Sequence, residues 1–398
     1  MRVLIAGLSA PTELNGVSRH AANLARGLLS VPQSAEIHFV AGAWQSEMFA
    51  RAIGSSDERL VIHSVPIPHR NHDRVRWYYR ELPRMARRLA ADVVHLSYTM
   101  PLDARAFACP TIVSLHDLYP FDIPENFGFL KGVVNRELMH HCLRNVDAIA
   151  CVSGSTRARL RERFGARLSR KAVTILNAVE PVPVAEARPP RELRTGEPFL
   201  LCIAQHRQNK NIPLALDIFE RLVRNGLVRE ATRLLLVGIP GPDTPLIRAR
   251  IREGGLEQRV VLLSGISDAE LQWCYRHCEL LLAPSSIEGF GLPVAEAMLA
   301  GCPVVCSDIA AFREIGGGHC RYVRFGEKVV ERYEAAVRET LAEPRPEPRL
   351  LPRFSPAVIA REYLALYTRL LASRCMARCE MLFYAEPPGE EPDAAEAR

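Results

Sequence analysis

The chain predicts an α/β fold: two doubly wound parallel units that face one another across a cleft. Three observations carry this. Short, almost wholly apolar runs recur along 398 residues, a length too great for one ordinary core. Helix-length segments separate those runs, the alternation of a parallel sheet covered on both faces. The alternation stops once, at residues 180–198, and then resumes.

In the first unit, residues 3–7 (VLIAG), 37–41, 93–96 (VVHL), 111–115 (TIVSL), 148–152 (AIACV) and 173–176 read as strands. Helical patterns near residues 17–29, 74–90, 129–144 and 156–164 lie between several of them, with Pro83 expected to interrupt the second. Residues 180–198, EPVPVAEARPPRELRTGEP, are rich in proline and charge and follow no period. They predict a linker. The second unit resumes with strands at 199–204 (FLLCIA), 233–237 (RLLLV), 260–263, 280–283 and 303–306, and helices from about residues 213, 245, 268 and 292. A last helical pattern covers 354–371, behind a proline-rich approach. The expected division is a first domain at 1–180, a linker at 181–198, a second domain at 199–352, a C-terminal helix at 353–383 and a disordered acidic tail at 384–398. Two such domains place a ligand cleft at the carboxyl ends of their strands.

Composition narrows the function. Hydrophobic residues make up 48% and charged residues 24%, as in a soluble globular protein. No apolar run approaches the ~20 residues of a membrane span. The opening MRVLIAG turns polar at Thr12-Glu13-Leu14-Asn15, which reads as a buried strand rather than a signal peptide and implies a cytoplasmic protein. The eleven cysteines are scattered, with no C-x-x-C pair. The pairs spaced by four, with His277 near one of them, lack zinc-ribbon spacing, so reduced and mostly buried thiols are expected. A net charge of +6 is mild and does not indicate nucleic acid.

The most informative stretch is LLAPSSIEGFGLPVAE, residues 281–296. A buried strand ends at Ala283 and a glycine-rich turn follows. A helix then opens at about Leu292, with Pro293 in the first turn where a missing N–H costs least. Such a helix start offers free amides and a partial positive charge to a phosphate, and Gly289 and Gly291 let backbone come close to a ligand. Glu288, at the mouth of the turn, and Glu296, just over one helical turn past Leu292, can accept hydrogen bonds from sugar and ribose hydroxyls in one cleft. Elsewhere, Leu14-Asn15-Gly16-Val17-Ser18 opens a helix after the first strand, with no G-x-G-x-x-G fingerprint there. His116-Asp117 ends an apolar strand, where the histidine can donate to a sugar hydroxyl and the aspartate can equally cap a turn. Arg207 and Lys210 follow the first strand of the second unit in AQHRQNKN.

Glu288-x7-Glu296 around Gly-Phe-Gly-Leu-Pro resembles the signature of the family-four retaining glycosyltransferases, and the resemblance runs from Met1 to about Tyr367. It implies the GT-B fold: two Rossmann-like domains facing a cleft, with a C-terminal helix crossing back to the first. It implies that Glu288 contacts the donor sugar and Glu296 the nucleotide ribose, while the amides of Phe290, Gly291 and Leu292 serve sugar and phosphate. Gly16 takes the place of the family's glycine loop near the donor phosphates, and His116 that of a functional histidine. Lys210 matches half of the basic pair that neutralises the donor diphosphate, whose growing charge fixed cations stabilise. The family's arginine, five residues earlier, is Gln205 here, and Arg207 is the candidate to replace it. Gly238 and Gly265, ending successive strands, are assigned loosely to the base and ribose.

The implied reaction moves a hexose from a nucleoside-diphosphate sugar to a hydroxyl of a glycan or lipid-linked glycan, in polysaccharide synthesis. No cofactor or metal is expected, since no D-x-D occurs. A sugar-nucleotide epimerase of related fold and a non-catalytic sugar-nucleotide-binding protein stay open as alternatives. Arg74 opens and Arg88 closes a stretch, RVRWYYRELPRMARR, that mixes arginine with aromatics. It is either an ordinary solvated helix or a peripheral contact with the anionic inner face of the plasma membrane.

Overall fold

The computed structural model describes residues 1–10, 12–32, 35–180, 187–193 and 196–383. The expected tail at 384–398, and residues 181–186 and 194–195 of the expected linker, lie outside the described residues.

Seven parallel strands form the first sheet: β1 (Arg2–Ala6), β2 (Glu36–Gly42), β3 (Leu60–Val65), β4 (Val93–Leu96), β5 (Thr111–Leu115), β6 (Ala148–Cys151) and β7 (Ala172–Thr174). They are ordered β3-β2-β1-β4-β5-β6-β7. The connecting helices are α1 (Gly16–Ser30), α2 (Ser46–Ile53), α3 (Asn71–Arg88), α4 (Tyr119–Asp122), α5 (Phe129–Asn145) and α6 (Gly154–Ser169). The central strands β1, β4, β5 and β6 are buried almost throughout, as their apolar runs predict. The edge strand β3 is half-exposed and mixes His63 and Ser64 into its run, so it carries no comparable signal.

The second sheet repeats the plan with β8 (Phe199–Ile203), β9 (Arg233–Val237), β10 (Val260–Leu263), β11 (Leu281–Ala283), β12 (Val304–Ser307) and β13 (Arg321–Val323), ordered β10-β9-β8-β11-β12-β13. Its helices are α7 (Ile212–Arg224), α8 (Thr244–Glu253), α9 (Asp268–His277), α10 (Leu292–Leu299), α11 (Ala310–Gly316) and α12 (Val329–Ala342). In both sheets the strand order reverses beside the first strand, at β1/β4 and β8/β11, which is where ligands of such folds sit. The last helix, α13 (Pro356–Phe383), packs along α1 and buries Ile359, Ala360, Tyr363, Leu366 and Tyr367 with the residues of the first sheet.

Pro83 does not interrupt α3, which runs through it from Asn71 to Arg88. Trp77, Tyr78, Leu82, Met85 and Ala86 are buried on the same side as the proline, and their packing outweighs the lost backbone bond. The ten described cysteines are all free, and most are buried.

Candidate active site

The candidate residues come from loops at the carboxyl edges of the two sheets. β5 runs out into His116 and Asp117, β8 into the loop with Arg207 and Lys210, and β11 into residues 284–291. Gly289 marks where they meet. A Cβ placed on it would stand 1.8 Å from the carbonyl oxygen of His116, so the backbones of the two domains touch here. The Gly289 carbonyl accepts from the hydroxyls of Ser153 at 2.5 Å and Thr156 at 3.0 Å, at the start of α6. Glu314 of α11 seals the same junction. Its carboxylate accepts the Gly154 and Ser155 amides at 2.7 and 2.9 Å, capping α6 from the other domain.

Glu288 stands beside that contact and is only 8% exposed. Its carboxylate accepts from Lys210 Nζ at 2.6 Å and from the Tyr119 hydroxyl at 3.2 Å. A carboxylate this buried is costly unless paired, and Lys210 is the pair. Burial, with Glu288 and Asp117 nearby, holds the Tyr119 phenol well above its ordinary pKa, so it stays a donor. Asp117 accepts the Tyr119 amide at 3.0 Å, a turn cap. Burial pushes the Asp117 carboxyl up, while Arg207, Lys210 and Arg159 lie close enough to oppose that shift. The structure thus gathers His116, Asp117, Arg207, Lys210, Glu288 and Gly289.

His116 Nε2 lies 2.8 Å from the Ser97 carbonyl; with the proton assigned there, Nδ1 is left as an acceptor. Burial lowers its pKa to about 4, so the ring is neutral. Behind it a line of buried polar groups crosses the first domain. The His116 ring meets His20 edge-on at 4.8 Å. His20 Nε2 and His95 Nε2 both lie 2.8 Å from the Ser114 hydroxyl, and His95 Nδ1 lies 2.6 Å from the Tyr367 hydroxyl on α13. Burial brings His95 down to about 3 and His20 well below its ordinary value.

Glu296 lies on α10, past the turn. It lines a cavity of about 400 Å³ between the domains, with Leu14, Arg19, Asn23, Asp268 and Leu292, and neither Glu288 nor Lys210 reaches it. Between the two glutamates in the chain lies the turn that Gly289 docks on His116. The Glu296 carboxylate accepts from the Tyr275 hydroxyl at 2.7 Å, and Arg19 pairs with Asp268 at 2.7 Å. Burial raises the Glu296 pKa, against the pull of Arg19. Gly291, at φ +100°, turns the chain into α10, and Gly16 faces Leu292 across the same cavity wall.

Other candidates are placed less directly. The Phe290 side chain is buried with Val152, Val179 and Phe354, which leaves only its backbone for a ligand. Gly238 is pressed against the Ala204 carbonyl, where a Cβ would stand 1.8 Å away, and Gly265, at φ +69°, follows β10. Sequence reasoning missed Tyr119, Ser153, Thr156, Arg19, Asp268 and Tyr275. Only Arg19 carried a signal, one turn after Gly16 on the same helix face. Among the described residues, no group of three or more His, Cys, Asp or Glu side chains is placed to hold a metal ion.

Two family models divide the chain. The model described as Glycosyltransferase Family 4 matches residues 14–182, and the one described as Glycosyl transferases group 1 matches residues 184–350. The O-antigen chain mannosyltransferase B of Escherichia coli is 24% identical over 336 residues, covering 80% of this chain and 85% of its own. The MMP alpha-(1->4)-mannosyltransferase of Mycolicibacterium hassiacum is 34% identical over 194 residues, 46% of each chain. Among solved structures, WaaG, described as a glycosyltransferase involved in lipopolysaccharide biosynthesis, superposes with a TM-score of 0.63 at 18% identity. The match covers 94% of this chain and 98% of that one. Anabaena Alr3699/HepE, solved with UDP and glucose, gives 0.61 at 15% identity over 96% and 99%. At these identities the superpositions establish the shared fold.

Proposed function

The chain belongs to the family-four glycosyltransferases of GT-B fold, enzymes that use a nucleotide sugar, and from that premise we propose a retaining mannosyltransferase acting on a glycan or lipid-linked glycan. The observation that carries the site assignment is the buried Lys210–Glu288 pair, in the loops after β8 and β11, beside the Gly289 contact with His116 of the other domain. The mannosyl donor follows from what the similar curated proteins are called.

In this reading the nucleoside enters the cavity at Glu296, whose carboxylate takes the ribose hydroxyls. The diphosphate lies toward the start of α10 and Lys210, with Arg207 as second cation, and needs no metal. Glu288, held by Lys210 and Tyr119, accepts from hydroxyls of the donor sugar. Neutral His116 receives a hydrogen bond at Nδ1. The bond from the sugar's C1 to the phosphate oxygen breaks as the acceptor oxygen bonds C1 on the same face. The acceptor proton passes to the departing phosphate, whose charge Lys210 stabilises.

We place the protein at the cytoplasmic face of an anionic membrane, met through the arginines of α3. No helix among the described residues is long and apolar enough to cross a membrane. The test is a thermal shift against GDP-, UDP-, ADP- and dTDP-sugars, followed by a transfer assay with the responding donor. A rise with a mannose nucleotide, lost in Glu296→Ala, is expected. A rise confined to another sugar nucleotide refutes the mannosyl assignment, and conversion of the donor without an acceptor points to the epimerase.

A further inference from the structure

The start of α5 exposes an apolar surface that the sequence pattern did not single out. Phe129 is 84% exposed and Leu130 77%, and Val133 and Val134, one turn on, are also exposed. These four stand together on the outer face, while Met139, Cys142 and Leu143 turn inward to the core. Gly132 seats the turn against Pro124 and Phe127, so the patch is held in position by the chain before it. Large apolar side chains gathered on a surface mark a site of contact.

Its neighbour is the basic helix. Tyr79 of α3 meets His141 of α5 at 5.9 Å between ring centroids, and both helices pack on the same face of the first sheet. As right-handed crossovers, both start at the cleft edge of the sheet. From that shared contact α5 extends twelve residues back to Phe129, and α3 eight residues back to Asn71. At 1.5 Å per residue, α5 runs about 6 Å further back from this contact than α3 does. Arg76, Arg80, Arg87 and Arg88 on α3 and Lys131 on α5 are exposed, Arg84 is paired with Glu81, and the exposed acids nearby in sequence are Glu125, Glu137 and Asp122, the last paired with Arg159. Cations exceed acids around this exposed apolar turn.

We propose that the first turns of α5 insert into an anionic bilayer, with the α3 arginines on its headgroups, so that the acceptor reaches the cleft from the membrane plane. This deepens the reading of a lipid-linked acceptor and rests on it only for the acceptor. An apolar tip beside solvated arginines matches the layering of a bilayer surface, where apolar groups pass beneath the headgroups and cations stay among them.

The test is sedimentation of the full chain with phosphatidylcholine vesicles, with and without phosphatidylglycerol, at low and physiological salt. The wild type is expected to pellet with the anionic vesicles. F129D/L130D is expected to bind at least about tenfold more weakly, from lost apolar burial. Both substitutions fall in the first turn of a helix, where an acid suits the macrodipole, so the fold is not at risk. R76E/R80E is expected to lose binding most at low salt. The thermal shift with the nucleotide sugar should be the same in all three proteins. The proposal is overturned if the wild type ignores anionic vesicles or if F129D/L130D binds them as the wild type does. It is also overturned if the wild type is a dimer that F129D/L130D converts to a monomer, since the patch is then a contact between copies. An absent donor shift in the wild type would count against the proposed activity and leave the membrane result standing.

Discussion

Replacing Gly289 with alanine adds one methyl group at the point where the domains touch. That carbon would lie 1.8 Å from the His116 carbonyl oxygen. Carbon–oxygen contacts in proteins begin at about 3.3 Å, so the two backbones must separate by about 1.5 Å. The Gly289 carbonyl is at the same time bonded to Ser153 and Thr156, and Glu288 in the next position to Lys210 and Tyr119. Moving this segment shifts the sugar-facing carboxylate against the acceptor domain. A misplacement near 1 Å costs about a hundredfold in rate, or about 2.7 kcal/mol of barrier. Turnover of Gly289→Ala should therefore fall by about that factor, with a thermal midpoint close to wild type, since the clash is relieved by opening the domains. Gly238→Ala is the control. Its methyl meets the Ala204 carbonyl at the same 1.8 Å, but inside one domain, so its cost should fall on folding. Steady-state kinetics and thermal melts of both variants decide the matter. If Gly289→Ala keeps activity within twofold, or loses as much stability as Gly238→Ala, this closed interface is not the working arrangement.

Two further outcomes follow from the buried groups. Lys210→Met should lower kcat by about 10²–10³ through loss of the cation at the leaving phosphate, and should destabilise the fold by about 3 kcal/mol by stranding Glu288. Adding Glu288→Gln should restore stability in urea titrations without restoring turnover. His95 is fully buried with its pKa lowered to about 3 from 6.5, so it favours the folded state above pH 6.5, and that contribution is lost as pH falls. At pH 5 His95 alone should lower the unfolding free energy by about 2 kcal/mol relative to neutral pH. Urea midpoints at pH 7 and pH 5 check this, and His95→Gln should flatten the dependence.

Much of the architecture was legible because burial writes itself locally. A strand covered on both faces is apolar at most positions, so β1, β4, β5, β6, β8, β9 and β11 announced themselves, as did the glycine turn between β11 and α10. Where that pressure is absent the signal fades: β3 is an edge strand, and α3 passes through Pro83 because its partners, not its own propensity, hold it. The residue types of the site were legible for the same reason. His116 directly follows a buried strand, and Lys210 and Glu288 lie in the loops that two others open.

What only the tertiary structure decided is which of these groups meet. Tyr119 and Glu288 are 169 positions apart, and Glu314 and Gly154 are 160 apart. No periodicity reaches across such a span, because periodicity reports a residue's own element and not the surface of a second domain. Likewise the spacing of Glu288 and Glu296 placed both beside the turn, but only the tertiary structure set Glu288 against Lys210 and Tyr119 and Glu296 against Tyr275. The helical pattern near residues 129–144 did not say which face its four leading apolar residues would take. The sheet beneath has room for only one face of that helix, and these residues fell on the other.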